Sequence, residues 1–68
     1  MNKIKALRTE RGMTQKSLAD SAHISQPYLF DLENNRRGAK SETLARIALA
    51  LGVHVTELFE NDEKQVSA

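Results

Sequence analysis

The sequence predicts an all-α domain, and three observations carry that prediction. Apolar residues recur at helical spacing, most clearly at Leu44, Ile47, Ala48 and Leu51. Residues suited to cap or stop a helix punctuate the chain at Gly12, Thr14, Ser25, Ser41 and Gly52. Strand-like alternation is confined to Val53-His54-Val55. A chain of 68 residues makes one domain.

Five helical segments follow in order. The first is expected over residues 2–11, ending at Gly12, which suits the left-handed position after a helix. Thr14 can cap a second over residues 15–22, with Met13 and Leu18 spaced as a hydrophobic staple. Ser25 can cap a third over about residues 26–34, and Ile24 and Leu29 repeat the staple spacing. Pro27 then falls in the first turn, where its missing N–H has no helical partner, so the serine must reach the amide of Tyr28. Ser41 can cap the fourth segment, and Thr56 can start a last turn carrying Leu58 and Phe59. The domain is expected to span residues 1–60, with 61–68 a flexible polar tail.

Net charge is only +1, but it is unevenly spread. Residues 1–46 hold nine Lys/Arg against five Asp/Glu, whereas residues 47–68 hold Lys64 against four acids. An anionic partner should therefore meet the first two-thirds of the chain. Cysteine is absent, which excludes disulfides and thiolate metal sites and fits a reducing compartment. Neither a membrane-spanning run nor a signal-peptide pattern occurs, so the expected location is cytoplasmic.

Two charges interrupt the apolar stripes. Arg8 follows Ile4 by four residues and shares its face, and Glu33 follows Leu29 in the same way. An unpaired buried charge costs several kcal/mol, so the two are expected to form an ion pair with each other. The alternative is two surface charges whose ends reach water.

The second and third segments are separated only by His23 and Ile24, which forces a sharp angle between capped helices. The turn wants a residue tolerant of positive φ, and histidine is one of the non-glycine residues enriched there. Ala19 is small enough for close approach, while Leu18, Leu29 and Leu32 can fill the wedge.

The stretch TQKSLADSAHISQPYLFDLEN resembles the helix-turn-helix of the phage repressor and Cro-like (Xre-type) transcriptional regulators. The resemblance extends over residues 4–59. Leu7-Arg8, Gly12, Thr14-Gln15, Leu18-Ala19, Leu29, Leu32-Glu33-Asn34, Ile47-Ala48 and Ala50-Leu51-Gly52-Val53 fall at family spacing. It implies a five-helix lambda-repressor-like bundle that lays the second helix of the motif in the DNA major groove, usually as a dimer on a palindromic operator. His23 stands where the family prefers glycine, Asn35 where glycine often follows Glu-Asn, and Ala39 where proline is common. Asn35 tolerates the left-handed conformation, so local adjustment is expected rather than another fold.

With Leu29 and Leu32 inward, Gln26, Pro27, Phe30 and Asp31 form the outward face and Tyr28 its flank. The resemblance places base reading on that face. Gln26 can pair with adenine, Phe30 can meet a thymine methyl, and Asp31 can accept from cytosine or instead orient Gln26 or a nearby arginine. Phosphate contacts are expected from Gln15, Tyr28, Asn34, Arg36 and Arg37.

Enzymatic chemistry finds little support. His23 and His54 lack ligand-spaced partners, and Ser17, Ser21 and Ser25 lack a base and orienter, so neither cofactor nor metal is expected. The reading is a sequence-specific double-stranded-DNA regulator, a repressor acting as a homodimer. Leu51, Val53, Val55, Leu58 and Phe59 are candidates for the dimer surface, although core packing suits Leu51 and Leu58 better. The alternative is a protein-interaction module, an antitoxin or adaptor gripping a protein partner through Phe30 and the acidic end.

Overall fold

A computed structural model of the chain describes residues 2–59. It is all-helical, with α1 (Ile4–Glu10), α2 (Gln15–Ala22), α3 (Gln26–Glu33), α4 (Ser41–Leu51) and a 3-10 turn at Val55–Leu58. The expected fifth helix is therefore that single 3-10 turn. The tail expected at 61–68 lies outside the described residues.

Helix α1 starts two residues later than the sequence pattern implies, because its leading residues bond elsewhere. Asn2 turns its side-chain oxygen back to accept from the Ile4 amide at 3.0 Å, while its amide nitrogen donates to the Leu32 carbonyl at 2.7 Å. The Lys3 N–H donates to the Leu58 carbonyl at 2.7 Å, and Asn2 forms an antiparallel bridge with Phe59. The two ends of the described chain thus lie side by side.

The caps of α2 and α3 follow directly from their sequences. The Thr14 hydroxyl accepts from the Ser17 amide at 3.0 Å, and the Ser25 hydroxyl accepts from the Tyr28 amide at 3.1 Å. Each satisfies a first-turn N–H that the helix itself cannot. His23 closes α2 at φ 61, ψ 42, the left-handed conformation that turns the chain sharply into α3. Arg46 of α4 donates to the Ala22 carbonyl at 2.9 Å, placing a cation at the negative end of α2.

Two expected caps are displaced. Lys40, not Ser41, occupies the cap position of α4, since the first helical bond runs from the Leu44 amide to the Lys40 carbonyl and Ser41 is already helical. At the last turn His54 takes the place expected of Thr56. Its ring Nδ1 lies 3.3 Å from the Thr56 amide, and the Glu57 carboxylate accepts from the His54 N–H at 3.0 Å.

The core joins all of these elements. Ile4 and Leu7 of α1, Leu18, Ala19 and Ala22 of α2, Leu29 and Leu32 of α3, and Ile47, Ala48 and Leu51 of α4 meet Leu58 of the turn. Leu18, Leu29, Ile47 and Leu58 are completely buried. Ala19 and Ala22 of α2 are buried at 1% and 0% exposure, where a longer side chain would disturb the close-packed core. Truncating Leu29 to alanine would cost about 2–5 kcal/mol, a large share of the stability of so small a domain.

Candidate nucleic-acid interface

Leu29 and Leu32 anchor α3 in the bundle, and the opposite side of the helix is left outside. Gln26, Pro27 and Phe30 are exposed, Phe30 at 44%, while Asp31 and Tyr28 are half-buried at the edges. The positions i, i+1, i+4 and i+5 form one continuous strip along the helix. Pro27 strengthens it by fixing the backbone of the first turn.

Behind this strip lies the ion pair. The Arg8 guanidinium meets the Glu33 carboxylate in a two-pronged contact, Nε to Oε2 at 2.7 Å and Nη2 to Oε1 at 3.2 Å. The Glu33 side chain is 1% exposed and that of Arg8 11%. Remaining capacity is used as well. Arg8 donates to the Met13 carbonyl at 3.0 Å, and Glu33 accepts from the Gln15 amide at 3.1 Å. Among the described residues no buried side-chain polar atom lacks a partner. The pair ties α1 to the end of α3 and so sets the angle of the exposed strip.

The candidate phosphate ligands gather around the strip rather than scattering. Gln15, at the start of α2, accepts from the Gln26 amide at 3.3 Å, joining the two helices of the motif at their N-terminal ends. Asn35 takes φ 59, the left-handed value expected of it, and turns the chain after α3. Arg36 then lies over the Phe30 ring at 5.7 Å and Arg37 over the Tyr28 ring at 5.5 Å. Both distances suit cation–π contact. Arg37 also pairs with Asp31 at 3.3 Å, and the Tyr28 hydroxyl donates to the Gly38 carbonyl at 3.3 Å. Asn34 donates back to the Phe30 carbonyl at 2.8 Å, which occupies one of its two amide hydrogens.

Asp31 is consequently engaged by Arg37, the orienting contact weighed beside its base-reading role. The Asp31–Arg37 pair joins α3 to the segment that follows it, whereas the Glu33–Gln15–Gln26 chain does not follow from local sequence, since it joins positions on α2 and α3. Among the described residues no cluster of His, Cys, Asp or Glu could hold a metal ion, and no helix is long and apolar enough to cross a membrane.

The expected dimer residues divide. Leu51 and Leu58 belong to the core, at 3% and 0% exposure, and offer nothing to a partner. Val53 and Val55 are half-buried, and Phe59 is 45% exposed. Leu49 was absent from the expected set, yet it is 81% exposed on the outer side of α4. Its position outside the Leu44, Ile47, Ala48 and Leu51 stripe is the signal that marks it.

A capped helix pair with a left-handed turn, an exposed second helix and an internal Arg–Glu clamp defines a helix-turn-helix domain. The helix-turn-helix family model matches residues 4–58, and the chain belongs to that family, in its Xre-type branch of transcriptional regulators. Individual relatives agree. The chain is 43% identical over 61 residues to the HTH-type transcriptional regulator DdrOP3 of Deinococcus deserti, covering 90% of this chain and 47% of that protein. It is 43% identical over 56 residues to the immunity repressor protein of Bacillus phage phi105, covering 82% and 39%. It is 34% identical over 65 residues to the control protein C.MunI of Mycoplasma sp, covering 94% and 88%. The chain thus spans under half the length of the first two of these relatives. The crystal structure of the clp gene regulator ClgR from Corynebacterium glutamicum superimposes with a TM-score of 0.77 at 35% identity, covering 79% of this chain and 57% of that one.

Proposed function

We propose that this chain binds double-stranded DNA sequence-specifically as a transcriptional repressor, laying the exposed strip of α3 in the major groove. One observation carries the reading: α3 is held by Leu29 and Leu32 while Gln26, Pro27 and Phe30 are left in solvent beside two arginines. Strip and arginines divide the work. Gln26 presents an amide to base edges, Phe30 an apolar face to a thymine methyl, and Asp31 acts through Arg37. Arg36 and Arg37, held over Phe30 and Tyr28, meet the phosphates that flank the groove, with Gln15 and Asn34 adding neutral donors, while the single hydroxyl proton of Tyr28, expected to reach a phosphate, is given to the Gly38 carbonyl. The names of the relatives, an immunity repressor and a control protein among them, support repression.

The domain works as a homodimer on a palindromic operator, in the cytoplasm. A single small module buries about 600–1,000 Å² on DNA, little for tight binding, and a second copy doubles it. Leu49, Val53, Val55 and Phe59 are the apolar residues available for the contact. Selection of bound duplexes from a random pool tests the proposal. The expected result is a palindrome whose half-sites are about one helical turn apart, or a multiple of it. A pool that stays random after repeated selection contradicts it. A stoichiometric protein partner covering Gln26 and Phe30, with no duplex bound at moderate salt, would establish the adaptor reading instead.

A further inference from the structure

Resting on the phosphate role proposed for Arg36 and Arg37, we infer that Asn2 is a positioning residue for both, latching through Asn35 the turn that aims them. Asn2 uses both ends of its side-chain amide. The oxygen accepts from the Ile4 N–H at 3.0 Å. The nitrogen donates to the Leu32 carbonyl at 2.7 Å and to the Asn35 side-chain oxygen at 3.1 Å. The amide cannot be reversed, because a backbone N–H only donates and a backbone carbonyl only accepts. Asn2 is itself held to the bundle. It forms an antiparallel bridge with Phe59, and the next residue, Lys3, donates to the Leu58 carbonyl at 2.7 Å.

The turn held in this way is one that glycine would make with less strain. Asn35 sits at φ 59, where a β-carbon is disfavoured. What asparagine supplies instead is a side-chain oxygen for Asn2 to grip. Directly after it comes Arg36, whose N–H donates to the Asp31 carbonyl at 2.8 Å, and then Arg37. At its far end the same segment is tied by the Tyr28 hydroxyl to the Gly38 carbonyl at 3.3 Å. Both arginines thus stand on a short span fastened at each end, by Asn2 before them and by Tyr28 after them. A span fastened in advance offers its side chains to phosphate already ordered, and binding has less freedom left to remove.

The test separates positioning from stability. Asn35→Gly and Asn2→Ala are each followed by thermal unfolding, and by binding at fixed salt to a duplex selected from the random pool and to its scrambled counterpart. Asn35→Gly removes the grip but also the left-handed strain, so it should unfold close to the wild-type temperature. Each variant should nevertheless bind both duplexes about two- to tenfold more weakly, the ordering cost of one long side chain. The preference for the selected duplex should persist, since phosphate contacts carry no sequence information. The double variant Asn2→Ala, Asn35→Gly should lose no more than the weaker-binding single variant, and neither change should matter once Arg36 and Arg37 are both alanine. A merely structural role would leave affinity unchanged in every folded variant. Unchanged affinity in folded Asn35→Gly overturns the inference, and so do additive losses from the two changes. If Arg36→Ala with Arg37→Ala binds as tightly as the wild type, the phosphate role on which the inference rests is overturned instead. A wild-type chain that binds no duplex overturns the proposed function itself.

Discussion

Removing one member of the Arg8–Glu33 pair should unfold most of the protein, whereas removing both should be tolerated. In Glu33→Leu the Arg8 guanidinium keeps only its bond to the Met13 carbonyl, within a side chain 11% exposed. In Arg8→Met the Glu33 carboxylate keeps only the Gln15 amide, within a side chain 1% exposed. Each single change leaves a buried charge without its counter-charge, at about 3–5 kcal/mol. A domain of this size has little more than that to lose. The double variant Arg8→Met, Glu33→Leu removes both charges and fills the space with apolar atoms of similar length. Exchanges of that kind are often neutral. With the double change near neutral, the two single effects should fall short of additivity by about 6–10 kcal/mol, well beyond the usual range for contacting residues. Urea unfolding followed by circular dichroism measures this, with an excluded osmolyte keeping the single variants folded in the baseline. Additive effects would show that the two residues act independently, and the clamp that orients α3 would lose its basis.

Three further outcomes follow from the same geometry. His23→Gly should stabilise the fold by about 0.5–1 kcal/mol, because φ 61 costs a β-carbon more than a glycine loses in chain entropy; thermal unfolding should shift upward by several degrees. Arg36→Ala with Arg37→Ala should lower the slope of log K against log salt by up to about two units, and an unchanged slope in a salt titration would remove both from the DNA contacts. Leu49→Asp should leave the unfolding free energy of the monomer within about 0.5 kcal/mol of the original, since the side chain is 81% exposed, yet shift sedimentation from dimer to monomer; a dimer that survives places the contact elsewhere.

What could be read from sequence was mostly local. The Thr14 and Ser25 caps depend on the amide three residues on, so each is visible within a single turn. His23 and Asn35 could be assigned left-handed conformations because the chain must turn sharply there and neither neighbour could supply a glycine. The inward positions of Arg8 and Glu33 are likewise set by the spacing to Ile4 and Leu29 on their own helices. Features decided by another element were hidden. Helix α1 begins at Ile4 because Lys3 bonds to Leu58, a partner 55 residues away. The last turn is capped by His54 because an imidazole nitrogen can accept as a threonine hydroxyl does, so residue type did not discriminate. Leu51 and Leu58 were hard to assign to core or interface because apolar spacing reports that a face is buried, not what buries it. The partners of Gln15 lie on another helix, beyond the reach of any periodicity.

Binding of the wild-type chain and Gln26→Ala to a selected duplex and to its scrambled counterpart, by fluorescence anisotropy at fixed moderate salt, tests the central claim most directly. Loss of the amide should weaken binding to the selected duplex by roughly 1–3 kcal/mol and leave the scrambled duplex unaffected. Equal losses on both duplexes, or none on either, would contradict a strip of α3 that reads bases.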